Sequence, residues 1–241
     1  MKAALLLVAL IPAAAQTQAI ADNSFLIEEA YNQEAHVVQH ISGLQLHRGD
    51  GSWAYSFTQE WPLFGRTSQL SYTVPFQRTH NGTAAATGFG DLAVNYRYQL
   101  AGADRVSVAP RLSLLLPTGS SASGLGAGAL GVQVNLPVSL TVAPQLVTHW
   151  NAGTTLTHSA RGAYNLGASA MWLARPTFNV LVEVLWTRDE TATDDLVVSP
   201  GLRWAHNLPG GLQVVPGLAY AIDVGPFLYL SFEHPFGSTR R

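Results

Sequence analysis

The side chains best suited to chemistry in this sequence are a histidine and an asparagine two positions apart. His149 and Asn151 share one face of a predicted strand, because side chains alternate between the two faces of a strand. The pair is typical of a general base with its orienting group, and Ser139 or Ser169 on a neighbouring strand would be the nucleophile. No Gly-x-Ser-x-Gly elbow is present. Polar residues on a wet inner face explain the pair more simply, so we predict no enzyme.

Metal and cofactor motifs are weak or missing. None of the eight histidines lies in an H-E-x-x-H arrangement, and His40 and His47 differ in parity, so they face opposite sides of a strand. Cysteine is absent, which excludes disulfides and thiolate ligands. The letters Gly-x-Gly-x-x-Gly at 126–131 match a dinucleotide fingerprint, but an alternating strand over 132–140 follows instead of a helix. We therefore predict no metal and no cofactor.

The composition is unusually poor in charge. Hydrophobic residues make up 47% of the chain and charged residues 12%, about half the usual charged share of a soluble domain. No apolar run reaches the ~18 residues that a spanning helix requires. Apolar surface without such a helix leaves a large soluble β-sandwich or a barrel that faces lipid. The net charge of −2, without a basic cluster, argues against a nucleic-acid partner.

The first residues have the pattern of a targeting segment. Met1 and Lys2 form a positive start, and an apolar run over 3–11 follows that is too short to span a bilayer. A-x-A patterns end at Ala15 and Ala21. We predict a signal peptide over 1–21, cleaved after Ala15 or Ala21; a buried N-terminal helix is the alternative.

From residue 37 onwards the dominant hydrophobic period is two, the side-chain period of a strand. Even positions over 92–100 are apolar, for example, while Asn95 and Arg97 are polar. Most runs have 10–13 residues, which suits tilted transmembrane strands of about 9–11 residues better than soluble strands of about 5–6. The even positions face lipid in most runs, with an exception over 53–57. About twelve runs are present: 37–48, 52–61, 67–78, 88–100, 105–117, 128–140, 142–153, 162–174, 176–187, 195–206, 211–223 and 226–236.

The connections between these runs alternate in length. Short ones lie at 62–66, 101–104, around Pro144, 174–176 and 207–211, and longer polar ones at 79–87, 118–127, 154–161 and 188–194. Short periplasmic turns and longer extracellular loops are typical of outer-membrane barrels. We predict an all-β fold: a transmembrane antiparallel up-and-down β-barrel of about 12 strands over 37–236, with a tail at 237–241. Its location would be the Gram-negative outer membrane, reached through the assembly machinery; the soluble sandwich stays the alternative.

An apolar face towards lipid places the opposite, polar side chains in the lumen. A barrel of this size is narrower than a 16–18-stranded porin, so we expect a narrow polar channel or a plugged lumen. The predicted lumen-lining residues are Asn95, Arg97, Arg111, Gln133, Asn135, Gln145, His149, Asn151, Asn165, Asn179, Glu183, Arg203 and Glu233.

Residues 22–36 precede the first strand and carry both apolar and acidic side chains. They are either a frayed periplasmic tail or a plug, folded as a short helix that places its acids among Arg97, Arg111 and Arg203. The side chains predicted for a plug are Phe25, Glu28, Glu29, Tyr31 and Glu34.

Four motifs resemble one known family. SFLIEEAYNQE at 24–34, GFGDL at 88–92, LPTG at 116–119 and HWNAG at 149–153 are similar to bacterial outer-membrane "transporter" proteins catalogued with the meta-pathway of phenol degradation. The resemblance implies a barrel that passes small, often aromatic or apolar compounds, and it brings no catalytic residues.

Together these features predict a passive channel or uptake barrel, whose partners are outer-membrane lipid and small-molecule solutes. A sealed structural or surface-interaction barrel is the alternative, and a lumen or rim hydrolase using His149 is less favoured.

Overall fold

The computed structural model describes residues 19–81, 84–103, 105–158 and 162–236. In these ranges regular structure is almost entirely strand, with two short 3-10 turns at Ser121–Ser123 and Pro209–Gly211. None of the helical turns in the described ranges has the length and apolar character that crossing a membrane requires. Most of the predicted signal peptide, the Ala15 cleavage site and the tail at 237–241 lie outside the described residues.

Twelve antiparallel strands form a closed barrel. Each strand pairs with the next one, β6 pairs with β7, and β12 closes on β1 in a register that runs from Val37↔Pro235 to Gln45↔Phe227. The strands are β1 Val37–Leu46, β2 Trp53–Leu63, β3 Ser68–Asn81, β4 Ala84–Phe89 continued by Leu92–Tyr98 and Ala101–Gly102, β5 Val106–Val108 continued by Arg111–Leu116, β6 Gly131–Ala143, β7 Leu146–Thr157, β8 Ala163–Arg175, β9 Phe178–Arg188, β10 Asp194–Trp204 continued by His206–Asn207, β11 Gln213–Ala221 and β12 Gly225–Pro235. The predicted fold class is confirmed.

One predicted connection and one predicted lumen-lining residue are wrong. The loop predicted at 79–87 is largely strand, because β3 and β4 continue to pair as far as Asn81↔Ala84. The short turn predicted around Pro144 is present between β6 and β7, but it includes Gln145, whose side chain is exposed there instead of lining the lumen. Alternation along β7 holds only from Leu146, where the strand begins.

The two ends of the barrel differ. We call the end that carries the start of β1 and the end of β12 the turn end; its connections are residues 64–67, the stretch between Gly102 and Val106, and residues 144–145, 176–177 and 208–212. The opposite loop end carries the longest connection, residues 117–130. This loop is held against β3 and β4, because the Asp91 carboxylate accepts the Gly119 and Ala127 N–H groups at 2.9 and 2.7 Å and Gln77 donates to the Leu125 carbonyl.

Polarity is inverted relative to a soluble domain. Among the described residues, more polar than hydrophobic side chains are buried. Large apolar side chains are instead exposed on the outer face at even positions, as predicted, in a belt that suits the hydrocarbon of a bilayer. Examples are Tyr96, Leu112, Val134, Trp150, Leu166, Val182, Leu218 and Leu230.

Candidate functional site

We call residues 19–36 the N-terminal segment; it lies inside the barrel except at its ends, where Ala19 and residues 34–36 are exposed. The segment enters and leaves at the turn end: the Ile20 N–H donates to the Pro176 carbonyl at 2.8 Å, and the Asn32 amide donates to the Arg66 carbonyl at 2.9 Å. Between these points it reaches Glu183, near the middle of β9. The segment therefore forms a loop inserted into the lumen from the turn end.

The segment is not a helix, so the predicted short helix is wrong. Backbone N–H groups of the segment donate hydrogen bonds to side chains of the barrel wall instead of to carbonyls of the segment. One carboxylate oxygen of Glu183 accepts the consecutive N–H groups of Phe25, Leu26 and Ile27 at 3.0, 2.8 and 3.0 Å. Residues 25–27 form a bend, and three adjacent N–H groups that converge on one anion in a turn conformation make a concave anion-binding nest.

Amide side chains of the wall satisfy much of the remaining segment backbone. Asn151 accepts the N–H of Glu28 and donates to its carbonyl, both at 2.8 Å. Gln99 accepts from Asn32 at 3.2 Å and donates to the Ala30 carbonyl at 2.8 Å. These wall amides supply hydrogen bonds that a neighbouring strand would otherwise supply. An irregular chain can therefore be buried while its peptide groups keep hydrogen-bond partners.

Glycines in the wall admit the apolar side chains of the segment. A Cβ atom added at Gly201 or Gly217 would lie 2.7 Å from the Phe25 ring, closer than real Cβ contacts. The same ring packs against Tyr229, with 5.0 Å between centroids. A Cβ at Gly167 would clash with the Ile27 side chain. The wall thus has a socket for Phe25 that only glycine leaves open.

An ion cluster joins the segment to the opposite side of the wall. The Glu28 carboxylate lies 3.2 Å from Arg97 and 2.9 Å from Arg111, and it accepts the Asn135 amide at 2.8 Å. Glu29 is a further 3.7 Å partner of the buried Arg97. Loss of one partner of such a largely buried ion pair would leave an uncompensated charge inside the barrel, which is energetically costly.

Arg203 departs from the expectation that it would pair with the segment acids. Its guanidinium donates to the backbone carbonyls of Ala21 and Asn23, and it stacks over the Tyr229 ring at 4.9 Å. The prediction failed because strand parity places Arg203 inside the barrel but does not say which segment residue lies at its height.

The plug candidates behave differently from one another. Phe25, Glu28 and Glu29 contact the wall as described above. The Tyr31 hydroxyl donates to the Asp22 carboxylate at 2.8 Å. Burial is the main cause that raises the pKa of Tyr31, and the negative charge of Asp22 is the second. Glu34 is exposed at the turn end, where its backbone carbonyl accepts the Val37 N–H.

The residues considered for catalysis bind the segment. The Asp22 carbonyl can only accept, so His149 Nε2 donates to it at 2.8 Å; Nδ1 then accepts from the Ser139 hydroxyl at 2.8 Å. The Ser139 oxygen also accepts the Ala30 N–H. Ser139 and His149 are both buried, with 2% and 0% of their surface exposed. Ser169 bonds to the Ser24 hydroxyl. A substrate would have to displace the segment to reach this pair.

Apart from Gln145, the predicted lumen-lining residues lie on the inner face of the barrel. Further inner-face residues were not predicted, although their odd positions on β1, β3 and β12 were a usable signal. The omitted residues include Gln39, Gln69, Ser71 and Ser231, and Glu60 on β2.

A cavity of about 560 Å³ remains beside the segment. It extends from Tyr164 and Arg188 near the loop end to Glu60 and Gln69 near the turn end. Its charged side chains are largely compensated, since Arg97 and Arg111 pair with the segment acids and Arg188 with Asp194. Within the ranges that the structure describes, no three potential metal ligands cluster together.

No protein family profile and no curated protein sequence matches this chain. Solved structures do match it. The KdgM porin aligns at 10% identity with a TM-score of 0.57, over 83% of this chain and 99% of that one. An outer membrane channel from Pseudomonas putida F1 aligns at 15% and 0.57, over 86% and 98%. The NanC porin aligns at 8% and 0.54, over 83% and 100%. The likeness at these identities concerns the fold: the chain has the barrel architecture of bacterial outer-membrane porins and channels.

Proposed function

We propose that the protein is a bacterial outer-membrane channel for small molecules, in which the N-terminal segment acts as a plug or constriction. The observation that carries the proposal is a polar lumen, with a cavity of about 560 Å³, inside a barrel whose outer face is apolar. A structural barrel would be expected to fill its interior with its own wall side chains. Here a segment outside the strands is buried in the interior together with the wall side chains.

The proposal orients the turn end towards the periplasm and the loop end outwards, as in outer-membrane barrels generally. The N-terminal segment then enters from the periplasmic side. We also propose export by a signal peptide that is cleaved after Ala15. Ile20 and Ala21 support that site over cleavage after Ala21, because both contact the barrel: Ile20 is buried, and Asn179 and Arg203 donate to the Ala21 carbonyl.

The solute class we favour combines an aromatic ring with hydrogen-bonding groups. Phe25, Tyr164 and Tyr229 line the cavity together with amides such as Asn95 and Asn165. The resemblance to proteins grouped with phenol degradation points in the same direction. The compensated charges give no reason to expect strong selection for ions of one sign.

Permeability of reconstituted protein tests the channel. Full-length protein and a variant lacking residues 22–33 are placed in liposomes and planar bilayers, and entry of catechol and of a sugar of similar size is measured. We expect slow entry that favours catechol for the full chain, and much faster, less selective entry for the deletion. Heat-dependent gel mobility establishes that both barrels are folded.

Folded protein that neither conducts nor admits solute, with or without the segment, would exclude the channel. That outcome would support the alternative of a sealed structural barrel, which the many bonds between the segment and the wall favour. The hydrolase has weaker support, because Ser139 is capped by the Ala30 N–H and covered by the segment.

A further inference from the structure

The socket that holds the Phe25 ring has the walls of a site for a flat aromatic group. Gly201 and Gly217 leave the backbone bare on one side, since a Cβ atom at either would lie 2.7 Å from the ring. Phe227 and Tyr229 form the rest of the wall, with centroids 5.5 and 5.0 Å from that of Phe25. A planar six-membered ring from another molecule would find the same contacts there.

A cation borders this Phe25 socket. A Cβ atom at Gly217 would lie 2.7 Å from Phe25 Cζ and also 3.1 Å from Arg203 Cγ, so the tip of the ring and the stem of the arginine are neighbours. The guanidinium carbon of Arg203 lies over the Tyr229 ring, 4.9 Å from its centroid. The socket therefore combines aromatic walls with a positive group at its edge.

The charge of Arg203 has no anionic partner in contact with it. The residue is 1% exposed, its guanidinium donates to the Ala21 and Asn23 carbonyls and to the Tyr229 hydroxyl, and its Nε has no hydrogen-bond partner. Among the residues that the structure describes, no carboxylate lies within 4.0 Å of it. A buried guanidinium held by neutral oxygens favours an anionic acceptor.

The two acids that interact with Arg203 at longer range have other partners. Glu183 accepts the backbone N–H groups of residues 25–27, and Glu233 accepts the Gln39 amide at 2.8 Å. Glu183 lies opposite Ser199 in the β9–β10 register, four positions from Arg203 along β10. The wall thus leaves the place beside the socket to an acceptor from elsewhere.

We propose that the Phe25 socket binds a monocyclic aromatic carboxylate, with its ring in place of the Phe25 ring and its carboxylate on Arg203. The segment offers this part of the wall a ring and two peptide carbonyls, but a carboxylate binds a guanidinium more strongly than carbonyls do. Solute and segment therefore compete, and a ligand that binds only the undocked state shifts the population towards it. The inference rests on the proposed function, and it adds that the solute itself loosens the plug.

Calorimetric titration of the full-length protein in a neutral detergent tests the site with three probes. Benzoate has both ring and charge, benzamide has the same shape without the charge, and acetate has the charge without the ring. We expect benzoate to bind about fivefold more tightly than benzamide, because charge-assisted hydrogen bonds are about twice as strong as neutral ones. Benzoate should also accelerate chymotrypsin cleavage at Phe25 or Tyr31, and acetate should not.

A substitution of the cation tests the role of the carboxylate. Arg203→Gln should reduce the preference for benzoate over benzamide to about one. This ratio is insensitive to any loosening of the segment by the substitution, since both probes compete with the same ring. Arg175→Gln is the matched control, because it removes an exposed arginine at the turn end, and it should keep the preference.

A substitution of the ring tests the competition. Phe25→Ala vacates the socket in an otherwise intact chain and should tighten benzoate binding at least about tenfold, because burial of the ring no longer favours the docked segment. Adding Gly217→Ala refills part of the space and should remove most of this gain. Heat-dependent gel mobility verifies that each variant is folded.

Equal affinities for benzoate and benzamide would overturn the proposal, as would a preference that survives in Arg203→Gln. Acetate as effective as benzoate would show a site for any small anion. Benzoate that binds without changing chymotrypsin cleavage would lie in the open cavity beside the segment, which also contradicts the socket. Solute entry into liposomes is measured on the same proteins. Benzoate-driven release without entry counts only against the channel, whereas entry without such release counts only against this site.

Discussion

The Phe25 socket gives the sharpest test of the role of the N-terminal segment. In the variant Gly201→Ala with Gly217→Ala, each new methyl would lie 2.7 Å from the Phe25 ring. The ring cannot retreat freely, because Phe227 and Tyr229 pack on it with centroids 5.5 and 5.0 Å away. The substitution should therefore disfavour the docked segment. The Gly201 methyl would also press on the wall, since it would lie 2.9 Å from the Ala219 Cβ and 3.1 Å from the Leu218 carbonyl oxygen.

The size of the effect follows from the cost of overpacking. An extra methyl in a tightly packed place costs about 1–3 kcal/mol. Two that press on one ring share a partner and need not add, so we take about 2 kcal/mol, a value within the range for one methyl, as the cost of the pair. Burial of a phenylalanine contributes about 1.5–3 kcal/mol, so the gain from docking Phe25 is largely cancelled. The ratio of docked to undocked segment should fall on the order of 30-fold or more.

Two measurements report this ratio. Conductance in planar bilayers should rise, and chymotrypsin should cut the segment at Phe25, Leu26 or Tyr31 faster than in the unaltered protein. Gly102→Ala is the matched control, because a Cβ there meets nothing closer than 3.6 Å. The control should change neither conductance nor cleavage.

A third substitution separates displacement of the segment from distortion of the wall. In a Phe25→Ala background no ring meets the new methyls, so Gly217→Ala should have little further effect. The Gly201 methyl would still lie 2.9 Å from the Ala219 Cβ and 3.1 Å from the Leu218 carbonyl oxygen, so Gly201→Ala should keep part of its effect. Two results would refute the reasoning: a folded double variant with unchanged conductance and cleavage, or an effect of Gly217→Ala that persists undiminished without the ring.

Three other expectations concern the lumen and the start of the mature chain. His149→Ala removes two buried hydrogen bonds and should lower the free energy of unfolding in urea by about 2–4 kcal/mol; lipid hydrolysis that this change abolishes would contradict the non-enzymatic role. Glu28→Gln removes a carboxylate facing Arg97, so the reversal potential in a KCl gradient should move towards chloride, and an unchanged potential would count against the ion cluster. The intact mass of purified protein should match a chain that begins at Gln16; one beginning at Asp22 would contradict cleavage after Ala15.

The barrel fold can be predicted from the sequence because contact with lipid imposes the same requirement on each strand independently of its neighbours. Hydrocarbon requires an apolar outer face whatever the neighbouring strand is, so alternation within a run such as 92–100 is sufficient to assign its faces. Bilayer thickness sets the strand length in the same local manner. Where a local signal was misread, as at Gln145 beside Pro144, a turn residue was assigned to the strand that follows it.

The state of the lumen depended on the tertiary structure. Parity places Glu183 inside the barrel, but it does not reveal that this carboxylate meets three amides from residues 25–27. That contact, and the one between Glu28 and Arg97, require the register of every strand between the partners and the closure of β12 on β1. The sequence thus determined which side chains are inside, because that depends on local alternation. Only the closed barrel decided what they bind, because height and distance across the lumen are set by all twelve strands together.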